Sequence, residues 1–248
     1  MDRDGISSLR LDEAGAMLRG ARRITVVTGA GISAESGLAT FRGAGGLWEG
    51  QRVEDVATTR AFQANPALVW RFYNLRRANL ATATPNPGHH ALVDLEKRFG
   101  NGFTLATQNV DGLHQLAGST NVLEIHGAIR RVRCSTCDYK ADRGCEPLPE
   151  LPRCECGALL RPDVVWFEEM LPPGVWARAE RAVENCDCLL VVGTSAIVYP
   201  AAGLIDRAQR CTAKVIEVNL NATEATSRVD IALHGPSGKI LPELIKKL

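Results

Sequence analysis

Six short runs of β-branched and aliphatic residues, most of them continuously apolar, are separated by longer helical segments and limit the folds open to this sequence. Uninterrupted aliphatic and β-branched runs are typical of parallel strands that are covered on both faces. The predicted strands comprise residues 24–28, 103–107, 122–125, 164–167, 189–193 and 215–219. After an amphipathic first helix, the predicted helices comprise residues 66–81, 87–98, 175–185, 201–209 and 241–247. This alternation predicts an α/β fold around a doubly wound parallel sheet.

Two long segments interrupt the alternation and predict a smaller, inserted domain. Residues 41–83 separate the first two strands by far more chain than one crossover helix needs, and their pattern is largely helical. Residues 128–160 form the second interruption and contain a cluster of cysteines. We therefore expect a nucleotide-binding domain made of residues 1–40, 84–127 and 161–248, with 41–83 and 128–160 building the small domain.

The charge balance and hydropathy exclude several classes of partner. Lys and Arg number 29 against 28 for Asp and Glu, so there is no overall basic footprint for nucleic acid or for a membrane surface. No apolar run reaches the roughly 18 to 20 residues that span a bilayer. The acidic start lacks the features of a secretory signal or transit peptide. We expect a cytoplasmic location and favour a monomer.

A glycine pattern directly follows the first predicted strand. Gly29, Gly31 and Ala34 fit the G-x-G-x-x-G/A spacing, which in a strand–loop–helix context predicts a dinucleotide site with the pyrophosphate at the helix start. Such glycines also serve ordinary tight turns. No acidic residue follows at the end of a second strand about 20 residues on, where a dehydrogenase holds the ribose. A cofactor is therefore expected, but hydride transfer is disfavoured.

Five of the eight cysteines lie between Cys134 and Cys156. Cys134 and Cys137 form one pair and Cys154 and Cys156 a second, with 16 residues between the pairs. Clustered pairs in a chain without a secretory signal predict a structural zinc site of four thiolates in a zinc-ribbon fold. The second pair has one intervening residue, so Cys145 is a spare ligand candidate. The alternatives are small core residues or a redox pair.

Polar side chains follow two neighbouring strands. Gln108, Asn109 and Asp111 come directly after the second predicted strand, and His126 follows the third. Because ligands of open α/β sheets bind at the carboxyl ends of strands, these groups should converge near the glycine loop. His126 is suited to be a general base near neutral pH, although a structural role is the alternative.

These segments together resemble the sirtuin family. The motifs "GAGISAESG", "FRG", "TQNVDGLH", "HG", the paired cysteines, "VVWF" and "GTSAIVYPAA" occur in the family's order over residues 24–240. The resemblance implies a Rossmann-like domain with a smaller zinc-binding and helical domain inserted, and it implies NAD and zinc as cofactors. It also implies that the chain removes acyl groups from protein lysines, giving nicotinamide and 2′-O-acyl-ADP-ribose.

The resemblance assigns roles to individual residues. His126 would be the catalytic base, Asn109 and Asp111 would hold the nicotinamide carboxamide, and Phe41 would shield the reacting ribose carbon. Val164, Val165, Trp166 and Phe167 would contact the substrate. The full set expected around NAD is Gly29, Ala30, Gly31, Ile32, Ser33, Phe41, Arg42, Gln108, Asn109, Asp111, Gly193, Thr194, Ser195, Asn219 and Ser237.

One helix carries a pattern that bears on the acyl group. Tyr73 and Arg76 are three residues apart and share a helix face, where a hydroxyl and a guanidinium suit an acyl chain that ends in a carboxylate. The pair, together with the small Ala44, is similar to the sirtuin subgroup that removes succinyl and malonyl groups. The alternative is a half-buried tyrosine beside a solvated arginine. Deacetylation is expected to accompany this activity.

Two positions depart from the family pattern, and two other functions stay open. Glu168 stands where the family usually has glycine after "VVWF", which puts peptide approach in doubt, and Ala39 stands where proline is usual. Mono-ADP-ribosyl transfer would use the same cleavage of NAD with a different acceptor. A non-catalytic NAD or ADP-ribose sensor is the alternative from outside the enzymes.

Overall fold

The computed structural model describes residues 8–40, 47–48 and 51–248. Its α-helices are α1 (Ser8–Gly20), α2 (Val53–Val56), α3 (Thr59–Ala64), α4 (Pro66–Thr82), α5 (Pro87–Phe99), α6 (Leu113–Ala117), α7 (Pro173–Asn185), α8 (Gly203–Arg210) and α9 (Ser237–Ile245). Its strands are β1 (Ile24–Thr28), β2 (Leu47–Trp48), β3 (Gln51–Arg52), β4 (Phe103–Thr107), β5 (Val122–Glu124), β6 (Gly127–Cys134), β7 (Lys140–Asp142), β8 (Leu160–Val164), β9 (Cys188–Val192), β10 (Lys214–Asn219) and β11 (Ile231–His234). Short 3-10 helices occupy Ala30–Ser36, Gly100–Gly102 and Thr226–Arg228.

The main sheet contains six parallel strands in the order β11-β10-β9-β1-β4-β5. Counted along the chain, this is the strand order 3-2-1-4-5-6 of dinucleotide-binding folds, and the predicted doubly wound sheet is confirmed. The order reverses between β1 and β9, which are hydrogen-bonded neighbours with Val26 opposite Leu190. Ligands of such sheets bind outside the carboxyl ends of the strands at this switch point.

Both faces of the sheet are covered, which explains why its strands are continuously apolar. On one face α1, α5 and α9 bury residues such as Leu18, Leu92 and Leu241 against Val26 and its neighbours. On the other face α7 and α8 pack against a second cluster that includes Val27. Alternate residues of one strand therefore enter two separate cores.

In a smaller unit, the three-stranded antiparallel sheet β7-β6-β8 packs against helices α2, α3 and α4. Trp70 of α4 donates its indole N–H to the carbonyl of Leu160, at 2.9 Å. The guanidinium of Arg77 is buried, with 1% of the residue exposed, and it donates to three carbonyls, those of Ile129, Arg143 and Glu146. Satisfying all of these polar groups lets a charged side chain join two chain-distant segments inside one core.

The structure differs from the sequence prediction in several elements, and strands β6 and β7 and helix α6 had not been predicted. The predicted strand 164–167 is wrong, because strand β8 ends at Val164 and runs antiparallel to β6 in the small sheet. Strand β8 was not recognised in the sequence because it contains the polar residues Arg161 and Asp163. The expected boundary between the two domains, at residues 160 and 161, falls inside β8. The domain limits otherwise stay a prediction. The glycine loop opens a 3-10 helix, Ala30–Ser36, and strand β11 was not predicted.

Within the described ranges, no helix is both long and apolar enough to cross a membrane.

Helix α8 ends in a Schellman motif with an unusual residue at its left-handed position. Thr212 has a φ of +63°, its N–H donates to the carbonyl of Gln209, and the N–H of Ala213 donates to the carbonyl of Ala208. Ala208 and Ala213 are both buried, which completes the hydrophobic contact of this motif. Glycine is the usual residue here because a Cβ, and above all a branched one, is strained at positive φ.

We therefore predict that Thr212→Gly stabilises the protein. Removing the strained side chain should raise the free energy of unfolding by about 1 kcal/mol, measured by chemical denaturation. Thr212→Ala is the matched control, because it removes the hydroxyl and methyl but keeps the Cβ. A Gly variant no more stable than the Ala variant would contradict the strain argument.

Candidate active site at the carboxyl edge of the sheet

A cleft of about 1060 Å³ opens at the carboxyl ends of β1, β4, β9 and β10, next to the small unit. It brings together nearly all the site residues that the sequence predicts in the described part of the chain. Those lining it are Gly29, Ala30, Gly31, Ser33, Tyr73, Arg76, Gln108, Asn109, Asp111, His126, Val164, Val165, Trp166, Phe167, Gly193, Thr194, Ser195, Asn219 and Ser237. Ile32 is instead buried in the core beneath the loop, and Phe41, Arg42 and Ala44 lie outside the described residues.

The loop after β1 needs glycines because the loop after β9 packs directly against it. A Cβ on Gly31 would lie 2.7 Å from the Cα of Gly193, and a Cβ on Gly193 would lie 2.3 Å from the N of Ile32. The N–H groups of Gly29 and Gly31 donate to the carbonyls of Val192 and Gly193, at 3.0 and 2.8 Å. These two N–H groups therefore join the loops that follow β1 and β9, and the binding of a pyrophosphate at this loop stays a prediction.

A buried polar network lies between this loop and the end of β4. The hydroxyl of Ser33 donates to the carboxylate of Asp111 at 2.8 Å and accepts from the side-chain amide of Asn109 at 3.1 Å. The backbone N–H of Leu113 donates to the other Asp111 oxygen. Burial raises the pKa of Asp111, and these two hydrogen bonds oppose the rise. Asn109 and Asp111 are thus held in fixed orientations at the cleft wall.

His126 is the titratable group of the cleft with the geometry of a base. Its Nδ1 lies 3.1 Å from the backbone carbonyl of Gln108, which can only accept, so Nδ1 carries the proton and Nε2 has the free lone pair. Burial lowers the pKa of His126, and the hydrogen bond to Gln108 opposes the shift. The imidazole is therefore neutral at pH 7 and able to accept a proton.

Two further histidines, which the sequence analysis did not single out, form the floor of this region. His89 and His114 are buried with ring centroids 4.9 Å apart, and burial lowers their pKa values to about 4 and about 3. His114 Nε2 lies 3.0 Å from the hydroxyl of Thr28, and His89 Nε2 lies 3.4 Å from that of Ser33. Both rings are neutral packing groups that complete the network beneath the loop.

Tyr73 and Arg76 border the cleft from helix α4. The Tyr73 hydroxyl accepts the indole N–H of Trp166 at 2.9 Å, which leaves its own proton to be donated. Burial raises the pKa of Tyr73, so the hydroxyl stays protonated. The guanidinium carbon of Arg76 lies 5.7 Å from the centre of the Tyr73 ring, and Arg76 is the basic residue of the described cleft lining.

The segment after β8 forms a wall of the cleft. Val164 and Trp166 face the core of the small unit, whereas Val165 and Phe167 are more exposed. Burial in the core therefore accounts for two of these four apolar residues, and Val165 and Phe167 line the cleft. Arg161 stacks 3.4 Å from the centre of the Trp166 ring and forms two hydrogen bonds with the carboxylate of Glu169, at 2.6 and 3.1 Å. That carboxylate also accepts the N–H of Trp166. The wall is therefore fixed from behind.

Some lining residues were missed by the sequence analysis. Glu35 accepts the N–H of Gly238 at 2.7 Å and the hydroxyl of Ser237 at 3.3 Å, so it joins the first loop to the start of α9. Leu220 and Thr223 line the cleft after β10, and the strand-end rule that predicted Gln108 and His126 would have found them as well. Glu35 carried no signal, because its partner lies more than 200 residues away.

The four paired cysteines form the candidate metal site. The sulfurs of Cys134, Cys137, Cys154 and Cys156 all lie within 4.8 Å of one another, with Cys134–Cys156 at 3.5 Å and Cys137–Cys154 at 3.7 Å. Zinc held by thiolates at about 2.3 Å needs sulfurs about 3.8 Å apart, whereas a disulfide needs about 2 Å. The arrangement fits a four-thiolate zinc site. Cys145, the spare candidate, lies outside the group.

Comparisons with known proteins agree with this geometry. Residues 29–200 match the model of the Sir2 family. "NAD-dependent protein deacylase 2" of Pyrobaculum aerophilum is 48% identical over 94% of this chain and 93% of its own length. "NAD-dependent protein deacylase sirtuin-5, mitochondrial" of Canis lupus familiaris is 42% identical over 91% of this chain and 81% of its own. A solved complex of a Sir2 homologue with NAD is 42% identical, with a TM-score of 0.89 over 95% of this chain and 92% of that one. With its switch-point cleft, its four-cysteine group and relatives this similar over nearly its whole length, the chain belongs to the Sir2 family.

Proposed function

We propose that this chain is an NAD-dependent protein-lysine deacylase that prefers acyl groups ending in a carboxylate, such as succinyl and malonyl, and also removes acetyl. The observation that carries the proposal is the convergence in one cleft of a tautomer-fixed His126, the Asn109–Asp111 pair and the Tyr73–Arg76 pair. The relatives named NAD-dependent protein deacylases support the enzyme class.

The dimensions and polarity of the cleft fit NAD together with an acylated side chain. Its volume of about 1060 Å³ lies just above the range of roughly 300–1,000 Å³ for single small-molecule sites. We assign the contacts to NAD to the loops after β1, β4, β9 and β10, with Asn109 and Asp111 at the nicotinamide amide. Ile32 would act only through its backbone, because its side chain is in the core.

NAD, when bound, would supply a ribose carbon whose nicotinamide leaving group is positively charged. With acyl-lysine and one water, the overall reaction would give lysine, nicotinamide and 2′-O-acyl-ADP-ribose. His126 Nε2 accepts the proton of a ribose hydroxyl, and the Gln108 carbonyl keeps the ring in the tautomer that can do so. Because Nδ1 is already bonded, the ring needs no reorganisation when the proton moves. Val164–Phe167 would hold the substrate beside this base.

The acyl preference follows from the charge that the cleft offers. Arg76 is a cation in the cleft lining, which also includes Leu80, Val164 and the neutral Tyr73 hydroxyl, and its charge acts on the carboxylate of Asp111 as well. A terminal carboxylate can pair with a guanidinium bidentately, and the Tyr73 proton can be donated to the same group. An acetyl group has no carboxylate and cannot form these contacts, so its removal is expected to be slower.

We assign zinc a structural role at the four cysteines, because all four sulfurs are occupied in closing a tetrahedron and no position is left for substrate. The substrates would be acyl-lysine proteins. A cytoplasmic location, a monomeric state and the lack of a nucleic-acid partner stay predictions from the sequence.

The acyl preference predicts the outcome of a direct comparison. Matched peptides carrying acetyl-lysine or succinyl-lysine are incubated with the protein, with and without NAD, and followed by mass spectrometry. Succinyl should be lost faster and only with NAD. Arg76→Met should slow desuccinylation by about 100-fold, because a carboxylate loses its charged partner, and should slow deacetylation much less.

Arg71→Met is the matched control, since Arg71 lies on the same helix but forms an exposed ion pair with Glu150. Faster acetyl loss in the wild type would reject the acyl preference and keep the enzyme class. Loss of neither group would reject deacylation, and ADP-ribose mass gained by a protein target would identify a transferase.

The role of His126 predicts that His126→Ala loses turnover by at least about 100-fold while NAD still binds. Binding is measured as the rise in thermal midpoint on adding NAD. In the wild type, kcat/KM should fall at acidic pH, because protonation removes the base. The midpoint of that fall should lie below about 6.5, since burial lowers the pKa of His126. A variant that fails to fold would make the histidine structural instead.

The zinc assignment predicts one zinc per chain by elemental analysis. Cys137→Ser should lose the metal and lower the thermal midpoint by on the order of 10 °C, because metal binding contributes directly to folding. Cys145→Ser and Cys211→Ser are controls outside the group of four and should keep one zinc. Zinc that persists in Cys137→Ser, or is lost from Cys145→Ser, would overturn the ligand assignment.

A further inference from the structure

The wall of the cleft ends in two consecutive acids with different surroundings. Glu169 points inward and is bound by Arg161 at 2.6 Å and by the hydroxyl of Thr59 at 2.8 Å. Glu168 points into solvent beside the exposed ring of Phe167, and it lines the same cleft. One carboxylate therefore stabilises the wall, whereas the other is presented at the mouth.

The backbone at Glu168 is in a conformation that side chains rarely adopt. Its φ is +71°, in the left-handed region. Both neighbours are tied down, since the N–H of Phe167 donates to the carbonyl of Ala57 and the N–H of Glu169 to that of Trp166, at 3.0 and 3.1 Å. A strained residue between fixed neighbours has its side-chain direction determined by the backbone, and such residues gather at functional sites. The direction of the Glu168 side chain is thus a built feature of the wall.

The rest of the acidic lining is committed to internal partners. Among the described residues that line the cleft, the other acids are Glu35, Asp111 and Glu169. Glu35 accepts the N–H of Gly238, and Asp111 accepts the hydroxyl of Ser33. The cleft lining also includes the exposed apolar residues Ile197, Tyr199 and Leu220. A substrate cation that reaches the mouth therefore meets an apolar surface with a carboxylate at one edge.

Within the described residues, the ion pair of Glu168 is with Arg60, and it is weak. The guanidinium of Arg60 lies 3.9 Å from its carboxylate, with 74% and 68% of the two side chains exposed. Exposed ion pairs at such distances contribute little and are screened by salt. Arg60 can therefore be displaced by a cation that the bound substrate holds at the mouth, because a tethered cation has a high effective concentration.

We propose that Glu168 is a specificity-determining residue that selects acyl-lysine substrates with a lysine or arginine close to the acylated lysine in sequence. The proposal rests on the proposed deacylase function and adds a class of peptide to it. The selection is electrostatic, so it weakens as ionic strength rises. It also gives a role to a glutamate at a backbone position that suits glycine better.

The test compares peptides that share one acyl-lysine and differ only at neighbouring positions, which carry lysine, glutamine or glutamate. At low salt the wild type should favour the lysine-flanked over the glutamine-flanked peptide by about three- to fivefold in kcat/KM, as one exposed ion pair allows. Glu168→Gln should bring this ratio close to one, and Glu168→Lys should favour the glutamate-flanked peptide. Arg60→Gln should give a higher ratio than the wild type, because it removes the cation that competes for Glu168.

Glu150→Gln is the matched control, since it makes the same change of charge at an exposed acid that pairs with Arg71 away from the cleft. Its ratio should equal that of the wild type. Peptide affinities measured by calorimetry should give the same ratios, so a preparation without turnover still tests the selection. Equal ratios in the wild type and Glu168→Gln would overturn it, whereas measurable binding without NAD-dependent acyl loss would reject the deacylase function alone.

Discussion

The contact between the loops after β1 and β9 is the constraint on which the site depends. The N–H of Gly31 donates to the carbonyl of Gly193 at 2.8 Å, and neither position has space for a Cβ. The same arrangement continues across the sheet, because the N–H of Gln108 donates to Thr28 and that of Gly193 to Val218. Each of these loops thus begins with a hydrogen bond to a carbonyl at or near the end of the neighbouring strand. The sheet therefore fixes where each loop begins, which pre-organises the polar side chains that follow.

Buried polar groups transmit this rigidity to the residues assigned to chemistry. Asn86 caps helix α5 and donates its side-chain amide to the carbonyl of Ile32 at 2.7 Å, which fixes the loop from below. Ser33 then positions Asn109 and Asp111. Such a network is favourable only when nearly every member is satisfied, since an unpaired buried group costs about 1–3 kcal/mol. A substitution at Ser33 or Asn86 would accordingly disturb the site without contacting a substrate.

Features of the fold and the site could be predicted from the sequence where the residues that define them lie close together in the chain. The parallel strands, the four cysteines and the strand-end positions of Asn109 and His126 each have a pattern within a few residues, and the fold they predict is confirmed. Strand β8 was missed because Arg161 and Asp163 interrupt its apolar pattern, although Arg161 is buried by stacking on Trp166 and pairing with Glu169. The contact of Gly29 and Gly31 with the loop after β9 was also not predicted, because their partners are more than 160 residues away. Tertiary partners of this kind leave no periodicity to find.

The position of the cysteine group explains how a metal without an open position can serve a distant cleft. Cys134 ends β6 and pairs with Leu160 at the start of β8, so closing the tetrahedron joins these two strands at one end. At their other end, β6 begins at Gly127, directly after His126, and β8 leads into Val164–Phe167. The N–H of Val165 donates to the carbonyl of His126 at 2.9 Å, so His126 and the Val164–Phe167 wall of the cleft are joined where the strands leave the small sheet. The spacing between His126 and this wall is therefore set by two paired strands, and the four cysteines group at the far end of that pair.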